Sequence, residues 1–176
     1  MNADPRYPNG PFESVGRPLT EDERTALIDT IEAHPKRMRA AVDGLTDEQL
    51  DTRYRDGGWT LRQVVHHVVD SHLNSYIRFK LAVTEDNPSV TTYEEHLWAE
   101  LPNGKSAPVE GSLVMLEYLH ARWVSFLRTL GPDEGARTLE HPEFGGITVD
   151  SLFELYGWHC THHEAHITTL RDAKGW

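Results

Sequence analysis

Apolar residues recur at helical spacing along four stretches of this chain, separated by polar and turn-forming residues. Thr20 followed by Glu23 is a capping box, and a helix is predicted from there to about Val42, ended by Gly44. Pro35 lies inside that span and should kink or interrupt it. Thr46 with Gln49 opens a short helical turn, and Tyr54-Arg55-Asp56-Gly57-Gly58 is a loop by its turn chemistry. Thr60 with Gln63 starts a second long helix that runs to about Thr84, before Asn87-Pro88. Residues 88–111 read as a long irregular link with a helical turn near Tyr93–Leu101. A third helix is predicted from Ser112 to Leu130, stopped by Gly131-Pro132. His141 to Gly146 is turn-rich and suits a small hairpin, and Thr148 caps a fourth helix to about Ala173. Residues 1–19 are rich in Pro and Gly and read as an extended arm. The pattern predicts an all-α fold, an antiparallel four-helix bundle, as one domain over residues 1–176.

Composition narrows the function classes. Seventeen basic against twenty-eight acidic residues give a net charge of −11. That balance opposes nonspecific binding to nucleic acid and to anionic membrane surfaces. No apolar run is long enough to span a membrane, and Met1 to Gly10 carries no apolar signal-peptide core. A single cysteine, Cys160, allows no intramolecular disulfide and fits a cytoplasmic location.

The candidate chemistry lies in histidine. Four of the eleven histidines fall between positions 159 and 166 of the fourth helix. With Leu152 at zero and about 100° per residue, His159, His163 and His166 share the stripe of Leu155, Tyr156, Ile167 and Leu170. Imidazoles on an apolar stripe need partners, and a divalent metal is one that several neutral imidazoles can share. The i, i+4 pair His159 and His163 can reach one ion. His162 sits at the edge of the stripe, and Cys160 lies about 100° from His159, a poor position for a further ligand. Glu164 faces away from the stripe.

A third ligand is not chosen by periodicity. On the second helix His72 falls in the centre of the apolar arc and His66 at its edge. His67 falls on the opposite polar stripe with Gln63, Asp70, Asn74 and Arg78. That stripe is either solvated or lines a polar cavity inside the bundle. His120 and His141 stay open on spacing.

The run Asp51-Thr52-Arg53-Tyr54-Arg55-Asp56-Gly57-Gly58-Trp59-Thr60, then Arg62-Gln63-Val64-Val65-His66-His67 and Asp70-Ser71-His72, continues through Asn74-Ser75-Tyr76-Ile77-Arg78-Phe79-Lys80. It closely resembles the YfiT-like metal-dependent hydrolases of the DinB superfamily. Tyr7-Pro8, His120 with Arg122-Trp123, and the tract from Tyr156 to His166 match in the same order. The resemblance implies a four-helix bundle with a three-histidine metal site, whose ligands carry over to His67, His159 and His163. It also implies a homodimer and one zinc or nickel ion per subunit. The family tract is often richer in histidine, whereas Cys160, Thr161 and Glu164 interrupt it here. These departures touch the roles of His66, His72, His162 and His166, not the i, i+4 pair.

Two chemistries follow from such a centre. Activated water makes a hydrolase, and activated thiol makes a transferase that needs an electrophile. YfiT-like members are linked to bacillithiol S-transfer, and the sequence offers no evident general base beside the histidines. Thiol transfer is therefore slightly favoured at this point. Arg55, Arg78 and Arg122 are candidate anchors for a carboxylate-bearing thiol. The alternative is a metal-stabilised bundle that binds a ligand without catalysis.

Overall fold

Each predicted capping box is present and starts a helix in the computed structural model, which describes residues 4–176. Thr20 accepts from the Glu23 amide and Glu23 accepts from the Thr20 amide at the start of α1, Glu21–Val42. Thr46 and Gln49 do the same for α2, Asp47–Leu50, and Thr60 and Gln63 for α3, Leu61–Thr84. The link after α3 holds two short helices, α4 (Glu95–Ala99) and α5 (Pro102–Ser106), where one helical turn was expected. The third long helix, α6, spans Val109–Leu127, three residues earlier at each end than the periodicity suggests. Pro108 stands at its N-cap, and beyond its end Thr129 and Leu130 donate to Phe126 and Leu127 in tighter turns. A short α7 (Pro132–Gly135) leads to strands β1 (Thr138–His141) and β2 (Gly145–Thr148). They pair antiparallel, with Leu139 opposite Ile147, which is the expected hairpin. The last helix, α8, spans Val149–Lys174 and ends at Gly175, whose φ of +69° suits glycine. The first three residues of the predicted arm lie outside the described ones.

Pro35 does not interrupt α1, contrary to expectation. Proline removes one N–H, so the carbonyl of Ile31 loses its helical donor. The buried His120 ring takes that place, its Nδ1 lying 2.7 Å from the Ile31 carbonyl. A side chain from a neighbouring helix thus satisfies the group that proline leaves orphaned.

The chain forms a four-helix bundle, as the pattern predicts, but two of its four neighbouring helix pairs run parallel where an antiparallel bundle was expected. Around it α1 packs on α6 and α8, and α3 packs on the same two, so α1 and α3 face each other diagonally. Side-chain pairs give the directions. Arg24 meets Asp150, Arg37 meets Glu164 and Arg171 reaches the Asp43 carbonyl, so α1 and α8 run parallel. His66 bonds Ser112 and Phe79 packs on Trp123, so α3 and α6 are also parallel. The contacts α1–α6 and α3–α8 are antiparallel, as Arg39 with Glu110, Arg128 with Asp29, and Phe79 with Phe153 record. Parallel neighbours need a long return connection, and residues 85–108 supply it.

The core has two apolar layers. One gathers Ile28, Ile31, Phe79, Trp123, Leu152 and Phe153. The other gathers Met38, Leu61, Val65, Val68, Leu116 and Ile167. Between these positions lie His34 on α1, His72 on α3, His120 on α6 and His159 to His163 on α8. Histidines from all four long helices therefore form a polar layer across the bundle. Among the described residues, no helix is long and apolar enough to cross a membrane.

Candidate metal centre

Three of these histidines converge. His159 and His163 stand one turn apart on α8, and His67 faces them from the antiparallel α3. Their candidate ligand atoms all lie within 4.8 Å of one another. Ring centroids are 5.6 Å apart for His67 and His159, 4.8 Å for His67 and His163, and 4.4 Å for His159 and His163. All three line a cleft of about 990 Å³. Burial pushes the His67 pKa down to about 3 and holds His159 and His163 well below the ordinary histidine value, with the surrounding imidazoles adding to the shift. The rings are thus neutral, with lone pairs to offer. Three imidazole nitrogens fit a borderline divalent ion better than calcium or magnesium, which prefer oxygen.

The polar stripe of α3 belongs to the interior. His67, Ser71 and Arg78 line the cleft, and Ser71 Oγ lies 3.3 Å from His159 Nε2. Gln63 instead donates to the Ala99 carbonyl and fastens the crossing link to α3. The Asp56-Gly57-Gly58 loop leads into α3 and also borders the cleft. Gly57, Gly58 and Trp59 edge the cleft, and the Trp59 ring packs 4.5 Å from His67. Of the three candidate arginines, Arg55 and Arg78 line the cleft, whereas Arg122 is exposed on α6.

One acidic residue escaped the sequence reading. Glu95, at the start of α4, places Oε2 3.9 Å from His67 Nε2 and lines the cleft. Desolvation at the cleft mouth, and then Glu143, raises its pKa. Its neighbour Tyr93 also faces the cleft, and burial raises its phenol further from ionisation. Both sit in the crossing link, where no periodic signal marks a functional side chain.

Most of the remaining histidines have structural partners, whereas neither ring nitrogen of the buried His34 has a hydrogen-bond partner among the described residues. His66 bonds Ser112 Oγ and the Ala107 carbonyl at 2.8 and 3.1 Å. His162 meets Asn9 Oδ1 at 3.2 Å, and His166 donates to the Arg6 carbonyl at 3.2 Å, so both hold the N-terminal arm over the cleft. His166 also stacks on Tyr54 at 4.0 Å. His141 sits at the rim beside Phe144. Cys160 is fully buried, and burial raises its thiol pKa. Glu164 is taken up by Arg37 at 2.9 Å. His72 and His120 bond each other at 2.7 Å, deep in the bundle.

Comparison with known proteins gives one consistent answer. A family model described as the DinB superfamily matches residues 30–167. A Bacillus mycoides protein named "Putative metal-dependent hydrolase" is 53% identical over 173 residues, covering 98% of this chain and 99% of that protein. A Bacillus cereus protein of the same name matches to the same degree. A solved structure described as "YfiT from Bacillus subtilis is a probable metal-dependent hydrolase with an unusual four-helix bundle topology" superposes with a TM-score of 0.94. It is 45% identical, with 98% of each chain covered. A further structure, TT2238, "a four-helix bundle protein", shares the fold with a TM-score of 0.54 at 20% identity, covering 85% of this chain and 98% of that one.

Proposed function

The chain belongs to the DinB superfamily, and from that membership we propose that it is a metal-dependent hydrolase of a small molecule. His67, His159 and His163 hold one divalent ion per subunit, zinc or nickel. The observation that carries this reading is the set of three neutral imidazoles whose donor atoms lie within 4.8 Å of one another inside the cleft. When bound, such an ion lowers the pKa of a small nucleophile towards neutrality.

The chain's own residues supply the rest. Glu95 Oε2 is near enough to take a proton from the nucleophile and to return it to a leaving group. Ser71 Oγ can donate a hydrogen bond into the same space. Arg55 and Arg78 favour a substrate carrying negative charge, and Trp59, Tyr93 and Trp158 favour one with an apolar body.

Glu95 bears on the choice of chemistry. The sequence alone favours thiol transfer for want of a general base, and this carboxylate supplies a candidate. Hydrolysis therefore becomes the first reading and transfer from a low-molecular-weight thiol to an electrophile the second. A non-catalytic, metal-stabilised bundle is less well supported, because the three histidines open onto a wide cleft that can admit a small molecule. We also propose a homodimer in the cytoplasm. Exposed Val114, Met115 and Tyr118 on α6 support the first, and the lone buried cysteine supports the second.

Elemental analysis of the purified protein, with His67→Ala, His159→Ala and His163→Ala variants, tests the centre. One equivalent of zinc or nickel, lost in all three variants, is expected; full occupancy in all three refutes the assignment. Assays of ester and amide cleavage, run with and without added thiol, separate the two chemistries. Turnover that strictly requires thiol and an electrophile overturns hydrolysis.

A further inference from the structure

We propose that His72 and His120 are positioning residues for the metal centre, forming a chain of imidazoles that is anchored on a backbone carbonyl and fixes which nitrogen His159 presents to the ion. The inference rests on the reading of His159 as a ligand.

The direction of the chain follows from its far end. A carbonyl oxygen only accepts, so the 2.7 Å contact to Ile31 requires the proton of His120 on Nδ1. His120 is 2% exposed and neutral, so its Nε2 carries a lone pair. His72 Nδ1, 2.7 Å away, must therefore donate to it. A neutral His72 has one ring proton, already placed on Nδ1 by that bond, so its buried Nε2 is in turn an acceptor. His159 Nδ1 lies 3.0 Å from that nitrogen and must donate. What remains on His159 is the Nε2 lone pair, the atom beside Ser71. Every ring in the series has one allowed tautomer, set by the first link. That link exists because Pro35 has no N–H to give the Ile31 carbonyl.

His163 is held by a shorter series of the same kind. His166 Nε2 donates to the Arg6 carbonyl, so His166 Nδ1 accepts. His163 Nδ1, at 3.4 Å, donates to it and leaves its own Nε2 bare. Both candidate ligands on α8 thus trace back to a peptide carbonyl.

This ending decides what the chain does. A peptide carbonyl neither gives up a proton nor passes one on, so the series is a clamp on tautomer and ring orientation, not a path for protons. It also weighs against a second ion at His34, His72 and Cys160, which cluster within 4.8 Å, because both nitrogens of His72 are committed. A ligand imidazole whose other nitrogen is fixed loses no free energy in selecting the right tautomer, and losing such a partner lowers metal affinity about 10- to 100-fold.

The test starts with the metal-free, unmodified protein. Long-range proton–nitrogen correlation spectra distinguish protonated from bare ring nitrogens. The proton is expected on Nδ1 of His120, His72 and His159, and an Nε2–H tautomer at any of the three overturns the proposal. Zinc competition titrations follow. His72→Phe should weaken binding about 10- to 100-fold. His120→Leu should weaken it as well, whereas His120→Gln, which can both donate and accept, should restore most of the affinity. Unchanged affinity in His72→Phe overturns the positioning role. If His159→Ala also binds zinc as the unmodified chain does, the ligand assignment itself has failed, and the spectra alone then decide whether the clamp exists.

Discussion

The parallel pairing of α1 with α8 encloses one buried ion pair, and its removal should be among the most damaging single changes in the molecule. Arg24 donates from Nε and Nη2 to Asp150 Oδ1 at 3.2 and 2.8 Å, and the Leu19 amide donates to Oδ2 at 2.9 Å. The two side chains are 6% and 5% exposed. Gly135 of α7 closes the third side: a Cβ there would stand 2.5 Å from Asp150 Oδ1 and 2.7 Å from Arg24 Nη2. Asp150 also lies in the first turn of α8, where a negative charge meets the positive end of the helix. Asp150→Asn keeps the shape and leaves the guanidinium without its counter-charge, which costs about 3–5 kcal/mol. Asp150→Ala strands the Leu19 N–H as well and should lie at the upper end. Against a total stability of about 5–15 kcal/mol, that loss is a third or more. Gly135→Ala should be destabilising by the same route, because it forces the pair apart without touching either charge. Urea unfolding followed by circular dichroism reads the loss directly. Replacing both partners, as in Arg24→Met with Asp150→Leu, should recover most of it, since no charge is then stranded. A cost below about 1 kcal/mol for Asp150→Asn, with the urea dependence unchanged, would refute the reasoning, because it means that water already reaches the pair.

Other consequences are as direct. Burial holds His67 at about 3 and His120, His162 and His166 at about 4 in the folded chain, against about 6.5 unfolded, so the unfolded chain binds more protons between those values. Stability of the metal-free protein present above pH ~6.5 should therefore fall as pH drops, by roughly 5 kcal/mol per unit near pH 5 if all four take part; a flat stability from pH 6.5 to 4 contradicts it. Glu95→Gln should lower kcat for the hydrolysed substrate about 10²- to 10⁴-fold while metal content stays at one equivalent; lost metal would show that Glu95 holds the ion instead. Thr60→Ala should cost about 1 kcal/mol in chemical denaturation, since it removes the hydroxyl that caps α3.

How far the sequence discloses this molecule depends on the range of the forces involved. Helix starts were legible because a capping box is a contact between residues three apart, and Thr20, Thr46 and Thr60 all behave as their neighbours dictate. The hairpin at β1 and β2 is local for the same reason. Which helices pair, and in which direction, was not legible, because Arg24 and Asp150 are 126 positions apart and nothing near either names the other. Pro35 shows the same limit. A local rule predicts a break, and a histidine 89 positions from Ile31 removes the cause of it.

The candidate site divides along that line too. His159 and His163 stood out because one helix displays them a turn apart on its buried stripe. His67 did not, because amphipathic periodicity cannot tell a solvated polar stripe from one that lines a polar cavity, and the interior of this bundle is itself polar at that level. Resemblance, not periodicity, pointed to it. Glu95 had neither signal, since it lies in the crossing link. That link is long because α3 and α6 run parallel, so the chain must travel back along the bundle before α6 can begin. On its way it passes the open side of the histidine layer and lays Tyr93 and Glu95 against it. The topology that hid this carboxylate from the sequence is thus the reason a carboxylate is there: a bundle with only short turns would leave the same histidines without one.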